Sequence, residues 1–229
     1  MGESENYIIG EKEKSVLQKL RLFRSLSDEA FETALMKGRA RGVCYDKGST
    51  VSEAESCRSE FMVLLSGRIQ GVRDHEDGKQ DFVQLFAPGE ICGLDIVCSA
   101  TRKCPFRLQA LDGTRVVTID YDGMVSGNIS REEEQKLMHS VVQTLAGESL
   151  RRLHKVDVLY RRSLRDRVIV FLNNLYSLTG SKNVEINMDR EQFAQYLGVN
   201  RSALSHELAQ MREEGLIEFH KGSFKILDI

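Results

Sequence analysis

The feature that most constrains the fold is a pair of short amphipathic segments within residues 189–214. Asp189 and Asn200 are residue types that cap the amino ends of helices, and Gly198 is the type that follows a helix end. Apolar side chains recur at helical spacing in both segments: Phe193, Ala194 and Leu197 in the first, and Leu204, Leu208 and Met211 in the second. The pattern predicts two helices joined by a tight turn.

The second predicted helix has a polar face over its first two turns. Because Leu204 and Leu208 face inward, the side chains between them face away from the core. These outward residues are Arg201, Ser202, Ser205 and His206. Such a helix pair is typical of a helix-turn-helix, whose second helix enters the major groove of DNA by its amino end. Arg can bond guanine there, and Ser and His can reach base edges or phosphates.

The segments on either side of the helix pair fit the same interpretation. "NVEINM" precedes it as a short strand, and "GLIEFHKGSFKIL" follows it as a hairpin wing in which Lys221 and Lys225 can meet phosphate. We therefore predict double-stranded DNA as the partner and add Asn200 and Lys221 to the four DNA-binding residues. Helix pairs with glycine turns often bind nothing, so a winged helix that makes mainly protein contacts is the alternative.

A long helix is predicted upstream of the DNA-binding region. From Glu132 to about Ser163 there is no proline, and Gly147 is the one glycine. The apolar face follows spacings of three and four through Met138, Val142, Leu145, Ser149, Arg152, Val156 and Leu159, widened by Leu137, Val141, Leu150 and Leu153. About 30 residues make a helix of about 45 Å, longer than a small domain needs. A two-stranded dimer interface is therefore preferred over packing against the chain's own β domain.

The region before the long helix reads as mainly β. Residues 39–121 form short alternating apolar runs broken by turn signals such as Asp77-Gly78 and Pro88-Gly89, which predicts a compact antiparallel barrel or jelly roll. Two short helices precede it within residues 11–37. The β region holds one histidine, His75, whereas an enzyme on such a barrel needs clustered metal ligands. We predict no enzyme activity, no catalytic residues and no metal site.

Charge and cysteine content narrow the class further. The net charge is -2, but residues 150–229 carry 13 Lys and Arg against 10 Asp and Glu. There is no bilayer-length apolar run and no signal-peptide core, so we expect a cytoplasmic protein without a membrane partner. The five cysteines match no zinc spacing: Cys44, Cys57, Cys92, Cys98 and Cys104. The last three are interpreted as small buried side chains, with an iron–sulfur or thiol redox sensor as the alternative.

With these motifs in place, the chain resembles the cyclic-AMP receptor protein and fumarate-nitrate regulator (Crp/Fnr) family of bacterial transcription factors. "FMVLLSGRIQGVR", "LFAPGEICG" and "DREQFAQYLGVNRSALSHELAQMREEGLIE" are similar to its signatures. The resemblance implies an α+β fold: helices and a cyclic-nucleotide-binding-type β-roll in residues 1–130, a dimerisation helix in 131–162 and a winged helix-turn-helix in 163–229. It also implies a homodimer on a two-fold symmetric operator, a small-molecule effector and RNA polymerase as a further partner.

The chain departs from the family pattern in both sites. Many members have Glu where Ser202 stands and Arg where His206 stands, so the target sequence differs while the docking mode is kept. The resemblance assigns the effector pocket to Gly89, Glu90, Gly93, Leu94, Lys103, Cys104 and Arg152. Nucleotide binders have Glu in place of Leu94, for the ribose hydroxyl, and Arg in place of Lys103, for the cyclic phosphate. Pro105 removes a backbone N–H next to them.

These departures disfavour cyclic AMP and leave the effector unidentified. The oxygen-sensing branch uses an amino-terminal cysteine cluster, and the first 43 residues contain no cysteine. A haem sensor is the remaining alternative, and its iron would need an axial ligand from His75, His139, His154 or a thiolate. The expected mechanism is a shift between two dimer arrangements that changes the spacing of the recognition helices.

Overall fold

A computed structural model describes residues 4–126, 129–186 and 188–228. The helices are α1 (Glu11–Lys19), α2 (Asp28–Lys37), α3 (Leu94–Val97), α4 (Tyr121–Val125), α5 (Arg131–Tyr160), α6 (Leu164–Thr179), α7 (Arg190–Tyr196) and α8 (Arg201–Glu213). The strands are β1 (Ser4–Tyr7), β2 (Arg41–Tyr45), β3 (Thr50–Ser52), β4 (Glu60–Ser66), β5 (Ile69–Asp74), β6 (Gln80–Phe86), β7 (Ile91–Cys92), β8 (Arg107–Ala110), β9 (Thr114–Asp120), β10 (Asn183–Glu185), β11 (Ile217–His220) and β12 (Ser223–Ile226). The chain divides into two compact units, Met1–Gly147 and Glu148–Ile229.

The first unit is built around two antiparallel sheets. Their strand orders are β1-β2-β9-β4-β7 and β3-β8-β5-β6. Side chains from both sheets meet in one buried cluster: Val43, Met62, Leu64 and Val116 from the first, and Ile69 and Leu108 from the second. Two sheets enclosing a common apolar interior make a β-roll, which confirms the predicted jelly roll and the α+β class.

Strand β4 is buried on both faces, so it reads as a continuous apolar run rather than an alternating one. Met62 and Leu64 face the roll interior. Phe61 and Val63 face the other way, into a second core that contains residues of α1, α2 and the first turns of α5. Leu137 and Val141, predicted to widen the dimer face of the long helix, are buried in this second core instead.

The amino-terminal strand β1 was not expected from the sequence. It pairs antiparallel with β2 along residues 4–7 and 42–45. The Tyr7 ring lies on Gly42, where an added Cβ would be 2.1 Å from the ring, and the Arg115 guanidinium lies over the same ring at 4.9 Å. The strand has a polar sequence, Ser-Glu-Asn-Tyr, and forms through these long-range contacts rather than through a local alternating pattern.

The second unit packs α6, α7 and α8 on a small sheet. Strands β10, β12 and β11 are adjacent in that order, and the Phe171, Phe193 and Phe224 rings form a chain of edge and tilted contacts beside the sheet. Val158, near the end of α5, is buried in the same core. The last turns of the long helix therefore belong to the second unit.

Helix α5 exposes an unusual amount of apolar surface. Seven large side chains with exposed fractions from 38% to 84% form what we call the exposed apolar stripe: Met138, Val142, Leu150, Leu153, Val156, Leu159 and Tyr160. A solvated helix face normally carries polar residues, so an exposed apolar stripe of this length is unusual.

Candidate DNA interface and effector region

Two side-chain caps and a glycine turn build the helix pair. Asp189 and Gln192 form a reciprocal capping box at the start of α7, with N–H to oxygen distances of 2.9 and 3.0 Å. The chain turns at Gly198, whose φ of 69° lies in the left-handed region that glycine adopts without strain. The Asn200 side-chain oxygen then accepts hydrogen bonds from the Ala203 N–H and the Ser202 hydroxyl, both at 2.8 Å.

The amino end of α8 presents its polar residues to solvent. Leu204, Leu208 and Met211 are fully buried and hold the helix on the core of the second unit. The four side chains predicted to contact DNA are all exposed: Arg201, Ser202, Ser205 and His206. The structure thus gives this end of the helix the form that a major groove accepts, and their contacts with DNA remain a prediction.

The wing lies beside the amino end of α7. Its strands β11 and β12 pair antiparallel, and Lys221 lies in the connecting turn with a positive φ of 52°. Lys221 is exposed, whereas Lys225 forms a cross-strand ion pair with Glu218 at 3.1 Å. Lys221 is therefore the wing lysine whose charge is better placed for a phosphate.

Arg190 is a basic residue of this surface that the sequence analysis missed. Its guanidinium lies 5.1 Å from the Phe219 ring centroid and 5.9 Å from that of Phe224, and it donates to the Lys221 carbonyl at 3.4 Å. Burial and the nearby Arg201 charge lower its pKa. Among the described residues, no carboxylate is paired with either arginine. Two like charges held together without an acid form a surface suited to phosphate.

The first part of the predicted effector region is a closed turn. The Glu90 carboxylate accepts the Ala87 N–H at 2.9 Å, and the Gly89 N–H donates to the Leu64 carbonyl at 2.8 Å. Gly93 precedes the short helix α3 as its amino-terminal cap residue, and Leu94 is 2% exposed, in the core that β4 shares with α1, α2 and the first turns of α5. The Glu90 side chain therefore stabilises its own turn, and Leu94 is a packing residue.

The second part of that region is paired with another segment of the roll. The Cys104 N–H donates to the Ser56 carbonyl at 3.1 Å, and the Cys104 carbonyl accepts the Glu55 N–H at 2.7 Å. The exposed Lys103 side chain lies 3.9 Å from the Glu55 carboxylate. Because Pro105 has no N–H and that of Cys104 is already used, neither supplies a backbone donor for a phosphate here.

Comparison with known proteins matches both units to described families. Residues 43–126 match the cyclic nucleotide-binding domain, and residues 166–229 match the Crp-like helix-turn-helix domain. The chain belongs to the Crp/Fnr family of transcription regulators. Its two matched domains are the sensory domain and the DNA-binding domain of such a regulator.

Relatives and solved structures of Crp/Fnr proteins match most of the chain. The nitrogen fixation regulation protein FixK of Bradyrhizobium diazoefficiens is 25% identical over 205 residues, covering 87% of this chain and 84% of FixK. The transcriptional activator protein FnrA of Stutzerimonas stutzeri is 22% identical and covers 82% and 77%. The structure of FixK2 from Bradyrhizobium japonicum has a TM-score of 0.62 at 17% identity, covering 82% and 92%. That structural likeness shows the shared fold.

The residues predicted for the effector pocket are divided between the two units. Six of the seven predicted pocket residues lie in the first unit, and Arg152 lies on α5 in the second unit as an exposed residue.

Burial raises the pKa of the Cys92 and Cys104 thiols, and the Cys104 thiol donates to the Phe106 carbonyl at 3.0 Å. Protonated buried thiols react slowly. Cys98, predicted to be buried, is exposed.

Two of the three histidines considered for haem ligation have polar partners. His75 Nε2 is 2.8 Å from the Asp81 carboxylate, and His139 Nε2 is 2.8 Å from the Gln143 side chain. In the part of the chain that the structure describes, no three His, Cys, Asp or Glu side chains are grouped closely enough to hold a metal ion. Among the described helices, none combines the length and apolarity that crossing a bilayer requires.

Replacing the Asn200 cap should destabilise the amino end of α8. We expect Asn200→Ala to cost about 1 kcal/mol of local helix stability, because the Ala203 N–H loses its acceptor. Hydrogen exchange of the amides of residues 201–204 should then accelerate roughly fivefold. Asn200→Ser is the control, since Ser caps equally well. Equal fraying in both variants would contradict the capping role.

Proposed function

We propose that this Crp/Fnr protein is an effector-responsive regulator that binds double-stranded DNA as a homodimer, at an operator made of two half-sites. The observation that carries the proposal is the exposed polar face at the amino end of α8, held outward by the Asn200 cap and by the buried Leu204 and Leu208. A major groove accepts a helix of this form, and the half-sites of a dimer are spaced by whole turns of DNA. The relatives are regulators, and we propose no enzyme activity.

The exposed apolar stripe supports the homodimer. Val142 and Val156 lie fourteen residues apart, and Met138 and Leu159 lie twenty-one apart, both whole multiples of seven. A repeat of seven places these side chains along one seam of a two-stranded coiled coil. We therefore assign residues 131–162 to dimerisation, residues 1–130 to effector sensing and residues 163–229 to DNA binding.

Selection of binding sites from a random duplex tests the proposal with the full chain. We expect an enriched motif with two-fold symmetry, read through Arg201, Ser202, Ser205 and His206. The affinity for that motif should fall steeply as salt rises, because each neutralised phosphate releases about one counterion. If no sequence is enriched and the affinity is independent of salt, the winged helix does not read DNA and makes mainly protein contacts.

The closed turn at Glu90 and the paired segment at Cys104 support an effector other than a cyclic nucleotide. Cyclic AMP or cyclic GMP, added at a hundredfold excess over a dissociation constant typical of a sensor, would stabilise a binder by about 2.7 kcal/mol. We expect no change in the melting temperature of the full chain with either nucleotide. The selected operator duplex is the positive control for the assay. A rise of several degrees with cyclic AMP would contradict this part of the proposal.

A further inference from the structure

One arginine at the start of α6 holds a carboxylate of the recognition helix, Glu207, and the carboxylate of Glu214, the residue that caps the carboxyl end of that helix. Arg165 Nε donates to the Glu207 carboxylate at 2.7 Å. Its Nη1 and Nη2 donate to the two oxygens of Glu214 at 2.7 and 2.9 Å. All three guanidinium nitrogens are therefore engaged, and the contact with Glu214 is a two-bond fork.

The two carboxylates are spaced so that they fix the rotation of α8 as well as its position. Glu207 and Glu214 are seven residues apart, which is about two turns, so both lie on one side of the helix, about 10 Å apart along its axis. A single polar contact would add less resistance to rotation of the helix than two do. Two contacts to one planar group resist both rotation and sliding, because the fork requires a fixed direction.

Glu207 directly follows the outward face that we propose for DNA reading. His206 precedes it, and the buried Leu208 follows it. Each residue step turns a helix by about 100°, so a modest rotation of α8 moves His206 and Ser205 away from the position from which they meet base edges. Apolar packing alone is non-directional and tolerates small rotations more readily than a hydrogen-bonded fork does.

We propose that Arg165 is a positioning residue for sequence readout: together with the buried Leu204 and Leu208 it fixes the rotation of α8 about its axis, without touching DNA itself. The inference rests on the proposed function, in which α8 is the recognition helix. Arg165 also neutralises the charges of Glu207 and Glu214, which any cation would do. A positioning role requires the fork geometry, whereas neutralisation of charge does not require it.

Arg165→Lys separates position from charge, because Lys keeps the charge but lacks the planar fork. The readout is the ratio of the full chain's affinity for its selected site to its affinity for random duplex. We expect both Arg165→Lys and Arg165→Ala to lower this ratio about tenfold. In Arg165→Lys the affinity for random duplex should stay within about twofold of the original, because the total charge is unchanged.

Two further variants bound the interpretation. Glu214→Gln removes one carboxylate charge and should lower the ratio in the same direction, whereas the double variant with Arg165→Lys should be no worse than the single variant. Arg161→Lys is the matched control, because Arg161 pairs with Asp157 at 2.6 Å within the same unit. It should leave the ratio unchanged.

A measurement without DNA makes failure of this inference distinguishable from failure of the proposed function. In the full chain labelled at methionine methyl groups, the Met211 resonance should shift in Arg165→Lys and Glu214→Gln, while that of Met62 in the β-roll should not. This signal reports the packing of α8 whether or not DNA is bound. The positioning role is overturned if Arg165→Lys keeps both the original affinity ratio and the original Met211 resonance. This holds even if Arg165→Ala lowers the ratio, because the charge alone would then explain the effect.

Discussion

Arg201→Ala is expected to weaken binding of the full chain to its selected site by about 1–3 kcal/mol, roughly 5- to 150-fold, and to relax the preference at one base pair of each half-site. Arg201 is the first residue of α8 and is exposed there. Its guanidinium can form two parallel bonds to guanine O6 and N7, and no other exposed side chain at this end of α8 can replace that fork. The measurement is repeated site selection together with titration of the selected duplex.

Lys221→Ala is the comparison that separates base reading from phosphate binding. Lys221 lies in the wing turn, so its loss should weaken selected and random duplexes about equally and reduce the slope of affinity against salt by about one. Arg201→Ala should change the selected motif, and Lys221→Ala should not. If Arg201→Ala leaves both the affinity and the selected motif unchanged, α8 does not enter the groove in the proposed orientation.

The helix pair was predictable from the sequence because its signals are local. The Asp189 cap, the Gly198 turn and the Asn200 cap each act within four residues of their position, and the structure has both caps as hydrogen bonds. The long helix was equally visible from its spacing, and it ends at Tyr160, two residues before the expected boundary. The spacing did not distinguish the apolar residues that pack in the chain's own core, such as Leu137 and Val141, from those that remain exposed.

Features built from distant segments were not visible in the sequence. Strand β1 forms through pairing with residues 42–45 and through the Tyr7 ring on Gly42. The segment around Cys104 pairs with residues 55–58, which lie more than forty positions earlier. No local pattern encodes such pairings, because their stabilising contacts form only when the roll closes.

The same limit applies to the site. Arg190 looks like any surface arginine in the sequence, and its place on the candidate DNA interface follows from the wing rings Phe219 and Phe224, which lie about thirty residues later. One usable signal existed: an arginine directly after the Asp189 cap lies in the first turn of α7. Residue types and their spacing therefore locate α8 and its polar face in the sequence. Tertiary packing decides which other basic residues lie beside that face.

Val142→Glu is expected to convert the protein from two chains to one at micromolar concentration. Val142 is 60% exposed in the single chain and belongs to the exposed apolar stripe. In a two-fold symmetric interface each substitution occurs twice, so two introduced carboxylates would face each other in a buried seam. Burying unpaired charge costs several kcal/mol per ion, and the mass measured by light scattering should fall to that of one chain.

Loss of the dimer should weaken DNA binding because the two recognition helices are then no longer linked. When two DNA-binding domains are linked, binding of the first raises the effective concentration of the second, and a monomer lacks this gain. Val142→Glu should therefore weaken binding to the two-half-site operator by about 100-fold or more. It should leave the affinity for a single half-site nearly unchanged, since Val142 lies outside the DNA-binding unit. Gln143→Glu is the matched control: the adjacent exposed residue is polar and outside the stripe, so that variant should stay dimeric and bind normally. If Val142→Glu remains dimeric and binds the operator as before, the two chains do not join along this helix face.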